Sequence, residues 1–225
     1  MLWLLAVLLA YLIGSFPSGV IVVRLARGID VRQVGSRRSG TTNVLRAAGA
    51  VAAGAVFALD VLKGASAVWL GRWMAGSSLF ESLGMRRAFA ESPERNTWLA
   101  VTAGLAAFCG HNWPVYVRFR GGRGVATAFG SFLALAPFPA LGALALGVVV
   151  IALTRYVSLG SLIGSCALPV GLALQAVFGS LAWPVVWYGI AAAALIVFQH
   201  RDNIARLRAG TERRLGGGAS PPGEP

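Results

Sequence analysis

The chain has 225 residues, 56% of them hydrophobic and 12% charged, with a mean hydropathy of +0.70. This composition excludes a soluble globular domain and predicts a protein that lies largely within a lipid bilayer. The formal net charge is +12 at pH 7, and Lys63 is the only lysine among the 20 basic residues. No nucleic-acid partner is expected, because apolar spans separate the arginine-rich segments. Excess arginine in short connections instead marks the cytoplasmic side of a membrane protein.

The apolar stretches predict an all-α fold of about seven transmembrane helices, because a hydrocarbon core about 30 Å thick needs roughly 20 apolar residues per helix. In the first stretch, residues 14–19 contain a proline and predict a kink or a close helix contact. The stretch 124–153 contains two prolines and is either one overlong helix or two helices that turn at residues 136–139. The other predicted spans are residues 2–23, 50–70, 97–117, 157–178 and 181–198.

The distribution of arginine decides between one helix and two in this stretch. With two helices, one side of the membrane carries 15 arginines, whereas the other, mainly the loop 71–96, carries the remaining four. The arginine-rich side consists of residues 24–49, 118–123, 154–156 and 199–225. The positive-inside rule then places the N-terminus outside and the C-terminus in the cytoplasm. We expect residues 1–215 to form a single transmembrane domain and residues 216–225 to be a disordered cytoplasmic tail.

The first inner segment combines glycine, hydroxyl, amide and guanidinium groups just before the second span. Glycine lets backbone amides converge on an anion, hydroxyls add donors, and arginine forms bidentate hydrogen bonds with phosphate oxygens. The segment therefore indicates a phosphate site, and the alternative is a basic loop that faces anionic lipid. Its candidate site residues are Ser36, Thr41, Thr42, Asn43 and Arg46.

The second span carries Asp60 and Lys63 one helical turn apart. Opposite charges at this spacing neutralise each other, which lowers the cost of placing either one in lipid. Charge inside a membrane favours a functional role, and a structural ion pair is the alternative.

The second inner segment contains the turn Gly121-Gly122-Arg123-Gly124, directly before an apolar helix. Three glycines around an arginine at a helix N-terminus place free amides beside a cation, which suits an anion. The G-x-x-x-x-G-K-[ST] spacing of a nucleotide-binding loop is absent. A flexible basic turn is the alternative to an anion site.

Two more polar segments adjoin the last spans. Ser158 begins the sixth span, where a hydroxyl is also the usual cap of a helix. His200 and Asn203 follow the last span, and their spacing of three places them on one helical face. Both a structural and a functional role remain open for the histidine on spacing alone.

These segments together resemble the bacterial acyl-phosphate:glycerol-3-phosphate acyltransferase family, PlsY, over nearly the whole membrane region. The resemblance implies a seven-span enzyme of the bacterial cytoplasmic membrane that transfers a fatty acyl group from acyl phosphate to the 1-hydroxyl of sn-glycerol 3-phosphate. The products are lysophosphatidic acid and phosphate, in the first step of phospholipid synthesis. The resemblance lies in the order and spacing of residues 14–19, 35–36, 42–46, 60–64, 110–127, 155–161 and 200–212.

The resemblance also implies a site on the cytoplasmic side, without coenzyme or metal, whose partners are the two substrates and membrane lipids. The residues expected to be catalytic are Ser36, Arg46, His200 and Asn203. Those expected to bind substrate are Thr41, Thr42, Asn43, Lys63, His111, Gly121, Gly122, Arg123, Gly124, Thr127 and Ser158.

Three positions depart from the family pattern. Where the family commonly has Gly-Ser-Gly-Asn, this chain has Gly35-Ser36-Arg37-Arg38. Arg123 replaces the lysine of many members, which keeps the charge but changes the donor geometry. Gln199 stands where an additional basic residue is common.

Two competing functions explain less of the sequence. A transporter of phosphate esters or other anions also binds anions at broken helices, but mid-span polar groups are scarce apart from Asp60 and Lys63. A noncatalytic scaffold with lipid-binding loops is the other alternative. Neither explains hydroxyl, amide and imidazole groups in four inner segments. The sequence shows no Ser-His-Asp set with a plausible relay, and both cysteines, Cys109 and Cys166, lie within apolar stretches, so we expect direct attack without an acyl-enzyme.

Overall fold

The computed structural model describes residues 2–76 and 93–216, and all regular structure within these ranges is helical. The all-α prediction is confirmed for these ranges, whereas most of the predicted outer loop and residues 217–225 of the predicted tail lie outside them. The helices are α1 (Leu2–Ser15), α2 (Ser18–Arg27), α3 (Thr41–Gly76), α4 (Pro93–Asn112), α5 (Val125–Leu135), α6 (Pro137–Thr154), α7 (Val157–Val177), α8 (Trp183–Gln199) and α9 (Arg201–Arg208).

Within residues 2–76 and 93–216, four helical stretches are long and apolar enough to cross a membrane. They are Trp3–Arg27, Thr41–Gly76, Pro137–Thr154 and Val157–Val177. A fifth is added if α8 and α9, which meet at a bend of 59°, form one span. With 11 residues, α5 rises only about 16 Å, short of a 30 Å hydrocarbon core. Length alone therefore does not establish the predicted number of seven spans.

Both predicted helix breaks are present. α1 ends at Ser15 and α2 begins at Ser18, on either side of Pro17. α5 ends at Leu135 and α6 begins at Pro137, so the stretch 124–153 forms two helices. Proline explains both breaks, because its ring clashes with the preceding turn and it has no N–H to donate.

The predicted end of the third span is wrong, whereas the predicted start of the second span agrees with the structure. The α-helix of the predicted third span, 97–117, ends at Asn112, because Pro114 prevents its continuation, and Val115–Val117 form a separate 3-10 helix. α3 includes residues from Thr41 onwards, but Gly49 (φ 85°, ψ −179°) divides it, so its long second part begins near residue 50, as predicted. Only glycine adopts this backbone conformation readily, so the second half of the first inner segment is a short helix set at an angle to the second span.

The helices run alternately between two ends of the bundle. At one end, which we call the opposite end because it lies away from the basic end defined below, there is a cavity of about 220 Å³. Its lining includes Arg72 from α3, Asn96 from α4, Leu135 from α5 and Ser180 from the α7–α8 connection. The starts of α3, α5, α7 and α9 lie at the other end, the basic end. Short as it is, α5 therefore connects the two ends.

Close packing against α3 fixes the position of α5. A Cβ on Gly64 of α3 would overlap the Thr127 carbonyl of α5, and a Cβ on Gly130 of α5 would overlap the Val61 carbonyl of α3. Small residues let helix backbones approach in this way within membranes. On the other side of α5, Phe132 stacks on Tyr188 with ring centroids 4.4 Å apart. The start of α5 is thereby held beside the middle of α3.

Candidate active site

Two cavities share part of their lining at the basic end. The polar cavity has a volume of about 240 Å³ and the mixed cavity about 330 Å³. Residues common to both are Ser36, Arg38, Thr42, Arg46, Arg123, Val157, Ser161 and His200. The shared lining joins the two cavities into one site.

The first inner segment is folded around the side chain of Asn43. The Asn43 Oδ1 accepts a hydrogen bond of 3.0 Å from the Ser36 amide, and its Nδ2 donates to the carbonyls of Val31, Val34 and Arg38 at 2.9–3.1 Å. Asn43 was predicted to bind substrate, but its amide is occupied by the backbone. Its contacts are those of a residue that shapes the loop, and they leave the Ser36 hydroxyl free of hydrogen bonds within the described residues.

The glycine turn, residues 121–124, packs closely against the end of α4. The Gly122 amide donates to the His111 carbonyl at 3.1 Å, and a Cβ on Gly122 would overlap the His111 imidazole. Gly124 has φ 83°, and a Cβ there would strike the Phe108 ring. Only glycine permits these approaches, which direct Arg123 into both cavities. Burial, and next the neighbouring charge of Arg38, lower the pKa of Arg123 to about 10, so it stays protonated at neutral pH.

A buried cluster links α3 to this turn. Asp60 accepts a hydrogen bond from the Ser18 hydroxyl, lies 2.8 Å from the Lys63 Nζ and lies 3.5 Å from the His111 Nδ1. Lys63 also donates to the Phe16 carbonyl at 3.2 Å. The predicted pairing of Asp60 with Lys63 is confirmed, and the imidazole of His111 lies between this cluster and the glycine turn.

Glu212 joins the start of α7 to α9 and was not among the predicted site residues. It accepts hydrogen bonds from the Ser158 hydroxyl at 2.7 Å, the Asn203 Nδ2 at 2.6 Å and the Arg206 Nε at 2.7 Å. Burial opposes its ionisation, but these donors hold its pKa below the usual range. The interpretation of Ser158 as a helix cap is wrong, because its hydroxyl bonds to Glu212. The helix cap is Tyr156, which has no side-chain cap bond.

His200 lies at the bend between α8 and α9 and is 2% exposed. Its Nδ1 lies 2.8 Å from the Ile196 carbonyl. Because a carbonyl oxygen only accepts, Nδ1 carries the hydrogen, and Nε2 is the nitrogen left for a ligand. Asn203 is similarly oriented by Glu212, and its Oδ1 has no hydrogen-bond partner in the described part of the chain.

An apolar groove adjoins the mixed cavity between α5, α6, α7 and α8. Val125, Ile151 and Ser161 line both the groove and the mixed cavity. The groove continues past Phe132 and Leu168, and its volume is about 100 Å³. A ligand with a polar head and an apolar tail fits this sequence of surfaces.

The predicted site residues divide into two groups. Those that line the polar or the mixed cavity are Ser36, Thr41, Thr42, Asn43, Arg46, His111, Arg123, Gly124, Ser158, His200 and Asn203. Those that line neither are Lys63, Gly121, Gly122 and Thr127. The two glycines shape the turn and Lys63 supports it through Asp60, whereas Thr127 packs against Gly64. Among residues 2–76 and 93–216, no group of His, Cys, Asp and Glu suits a metal ion.

Comparison with known proteins agrees with this geometry. The family model described as glycerol-3-phosphate acyltransferase matches residues 4–210. The chain belongs to the glycerol-3-phosphate acyltransferase family. It is 44% identical to the glycerol-3-phosphate acyltransferase of Thermoanaerobacter sp. over 94% of this chain and 95% of that protein. It is 45% identical to the Thermus thermophilus acyltransferase over 93% of both chains.

Solved structures of the family share the fold. The crystal structure of PlsY, an integral membrane glycerol 3-phosphate acyltransferase, in its glycerol 3-phosphate form has 35% identity and a TM-score of 0.77 over 96% of both chains. The lysophosphatidic acid form has 34% identity and a TM-score of 0.75 over the same coverage. The protein is therefore a helical integral membrane enzyme of this acyltransferase family.

Proposed function

We propose that the protein transfers a fatty acyl group from acyl phosphate to the 1-hydroxyl of sn-glycerol 3-phosphate, giving lysophosphatidic acid and orthophosphate. The observation that carries this proposal is the continuity of the cavities. Arg46 and Arg123 line both the polar and the mixed cavity and form no ion pair within the described residues, and the apolar groove begins at the mixed cavity. Both substrates carry a phosphate, and one of them carries a long chain.

The substrates are assigned by their chemistry. Glycerol 3-phosphate has no apolar tail and suits the polar cavity, where guanidinium groups and the Ser158, Asn203 and Glu212 network surround it. The acyl phosphate places its chain in the apolar groove and its head in the mixed cavity. This arrangement brings the attacking hydroxyl and the acyl carbonyl together where the two cavities share their lining, which supplies proximity and orientation.

The reaction is a direct displacement. The 1-hydroxyl oxygen bonds to the carbonyl carbon, the bond from that carbon to the phosphate oxygen breaks, and the hydroxyl proton passes to the departing phosphate. Phosphate is already a good leaving group, so the protein mainly aligns the reactants and balances negative charge. In this mechanism Arg46, Arg123 and the Ser36 hydroxyl stabilise the phosphate oxygens and the carbonyl oxygen.

His200 and Asn203 orient the acceptor. The free Nε2 of His200 accepts a hydrogen bond from the substrate hydroxyl, while the unpartnered Oδ1 of Asn203 accepts from the second hydroxyl of glycerol 3-phosphate. Thr41, Thr42 and Ser158 add donors at the rim of the site. Gly121, Gly122 and Gly124 place Arg123, and His111 with Lys63 supports that turn through Asp60.

We also propose that residues 1–215 form one domain with seven membrane crossings. The alternation of helix ends supports this topology, because the short α5 runs from the basic end to the opposite end. The concentration of arginine at the basic end supports a C-terminus and a site on the cytoplasmic side of the bacterial inner membrane, next to its lipids. α5 then crosses where neighbouring helices rather than lipid surround it.

The test is a donor and acceptor assay. We expect purified protein in lipid to form lysophosphatidic acid and orthophosphate in equal amounts from palmitoyl phosphate and glycerol 3-phosphate, with no burst of phosphate when the acceptor is omitted. A burst equal to the enzyme concentration would show an acyl-enzyme. Transport of glycerol 3-phosphate into vesicles without lysophosphatidic acid would favour the transporter and overturn the enzymatic proposal.

A further inference from the structure

Arg38 occupies the junction of the polar and the mixed cavity. Its backbone is fixed, because its carbonyl accepts a hydrogen bond of 2.9 Å from the Asn43 Nδ2. The next residue, Ser39, donates its amide to the Gly121 carbonyl at 3.5 Å. The loop that carries Arg38 is thus tied both to α3 and to the glycine turn, and its half-buried side chain starts from a defined position beside both cavities.

The guanidinium group of Arg38 has no partner in the protein. Within the described residues it makes no side-chain hydrogen bond or ion pair, and the same holds for Arg123. Of the carboxylates at the polar cavity, Glu212 is bound to Arg206 at 2.7 Å and Asp202 is exposed. The charge of Arg38 acts on Arg123 and on His200. Two unpaired guanidinium groups held together predict a ligand of at least two negative charges.

The residues that line the two cavities indicate which substrate carries the phosphate that would bind at Arg38. Arg37 and Arg213 line the polar cavity alone, whereas Arg38 also lines the mixed cavity beside Phe57 and Ile151. An acceptor without an apolar tail has no need of that surface. A phosphate joined to an acyl chain must lie where cationic and apolar surfaces meet.

We infer that Arg38 binds the phosphate group of the acyl donor and, after transfer, the orthophosphate product. This inference rests on the proposed function and adds a specificity residue to it. The Gly-Ser-Gly-Asn pattern of the family has an uncharged asparagine at this position, so Arg38 gives this chain a donor contact that the pattern lacks. Compared with asparagine at this position, Arg38 should make acyl phosphate bind more tightly and orthophosphate inhibit more strongly.

The test compares Arg38→Asn, which restores the residue of the pattern, with Arg38→Lys and with Arg27→Asn. Arg27 is exposed at the end of α2 and lines none of the described cavities. In Arg38→Asn we expect the KM for palmitoyl phosphate and the inhibition constant for orthophosphate to rise roughly tenfold, as for loss of one charge-assisted hydrogen bond. The KM for glycerol 3-phosphate stays within twofold. Arg38→Lys recovers part of both effects, and Arg27→Asn shows neither.

A binding measurement separates this inference from the proposed function. Thermal stabilisation by orthophosphate requires no turnover, and its half-saturating concentration should rise roughly tenfold in Arg38→Asn. Unchanged phosphate binding together with an unchanged KM for palmitoyl phosphate would overturn the role of Arg38 while lysophosphatidic acid formation still supports the enzyme. A change in KM confined to glycerol 3-phosphate would equally overturn this role, because Arg38 would then bind the acceptor rather than the donor.

Discussion

Glu212 holds Ser158, Asn203 and Arg206 in one network, and a single carboxylate thereby joins the start of α7 to the segment after α8. Its side chain is almost completely buried, so the buried donors of Ser158 and Asn203 would be left unsatisfied if the carboxylate were lost. The network fixes Asn203 with its Oδ1 unpartnered. We therefore expect Glu212 to act as a positioning residue in the proposed mechanism.

The lowered pKa of Glu212 predicts an acid-sensitive contribution to stability. A carboxyl group with a pKa lower in the folded than in the unfolded state stabilises fully above the unfolded value of about 4.3 and loses that effect as the pH falls below it. We expect thermal unfolding of the wild type to lose more stability between pH 5 and pH 3 than that of Glu212→Gln. Parallel pH dependences of the two proteins would contradict this prediction.

His200 tests whether the protein supplies a general base. General base catalysis contributes about 10²- to 10⁴-fold, but in the proposed mechanism the departing phosphate takes the proton. We therefore expect His200→Gln to lower kcat only about tenfold, because the glutamine Oε1 still accepts a hydrogen bond. A loss above a thousandfold in a folded variant would make His200 an obligatory base.

Among the elements, the glycine turn is the one whose geometry depends most on absent side chains. In Gly122→Ala the new methyl group meets the His111 imidazole, so the turn must move and carry Arg123 with it. We expect kcat/KM to fall at least tenfold, since displacing a positioned group by about 1 Å costs up to a hundredfold. Gly142→Ala in α6 is the control, because its Cβ would meet no atom within 4 Å. Equal activity of both variants would refute the proposed role of the turn.

Local signals in the sequence predicted the elements better than their mutual contacts. Proline marks both breaks, at Pro17 and between α5 and α6, because its effect on the backbone is local. Glu212 was missed because its role depends on the turn at Gly210 (φ 70°), which returns the chain to Ser158 after α9. The spacing of residues along the sequence does not reveal such a chain reversal. A single acidic residue within an arginine-rich segment could, however, have indicated a site residue.

Asn43 shows the same limit for the site. Its residue type and segment predicted a ligand contact, whereas the structure uses its amide on three carbonyls and one amide of the preceding loop. The segments that form the site were predictable from their arginines, glycines and hydroxyls. Which residues of each segment remain available to a ligand was not predictable, because this depends on which polar groups are already hydrogen-bonded within the protein.

At the scale of the whole molecule, the proposed seven crossings predict that Arg27 lies at one membrane face and Ser180 at the other. Both residues are exposed. In a background where Cys109 and Cys166 are replaced by alanine, we expect a membrane-impermeant maleimide to label Ser180→Cys in intact cells. Arg27→Cys should react only after the membrane is opened. Labelling of both positions from the same side would contradict the seven crossings.

In the proposed mechanism, acyl transfer takes place at the basic end of the bundle. The most direct measurement is the initial rate of lysophosphatidic acid formation from palmitoyl phosphate and glycerol 3-phosphate in Arg123→Ala and in Arg72→Ala. Both variants remove one arginine, but Arg72 lies at the opposite end. We predict that kcat/KM falls roughly a hundredfold in Arg123→Ala and stays within twofold of the wild type in Arg72→Ala. Equal rates in the two variants would contradict the claim.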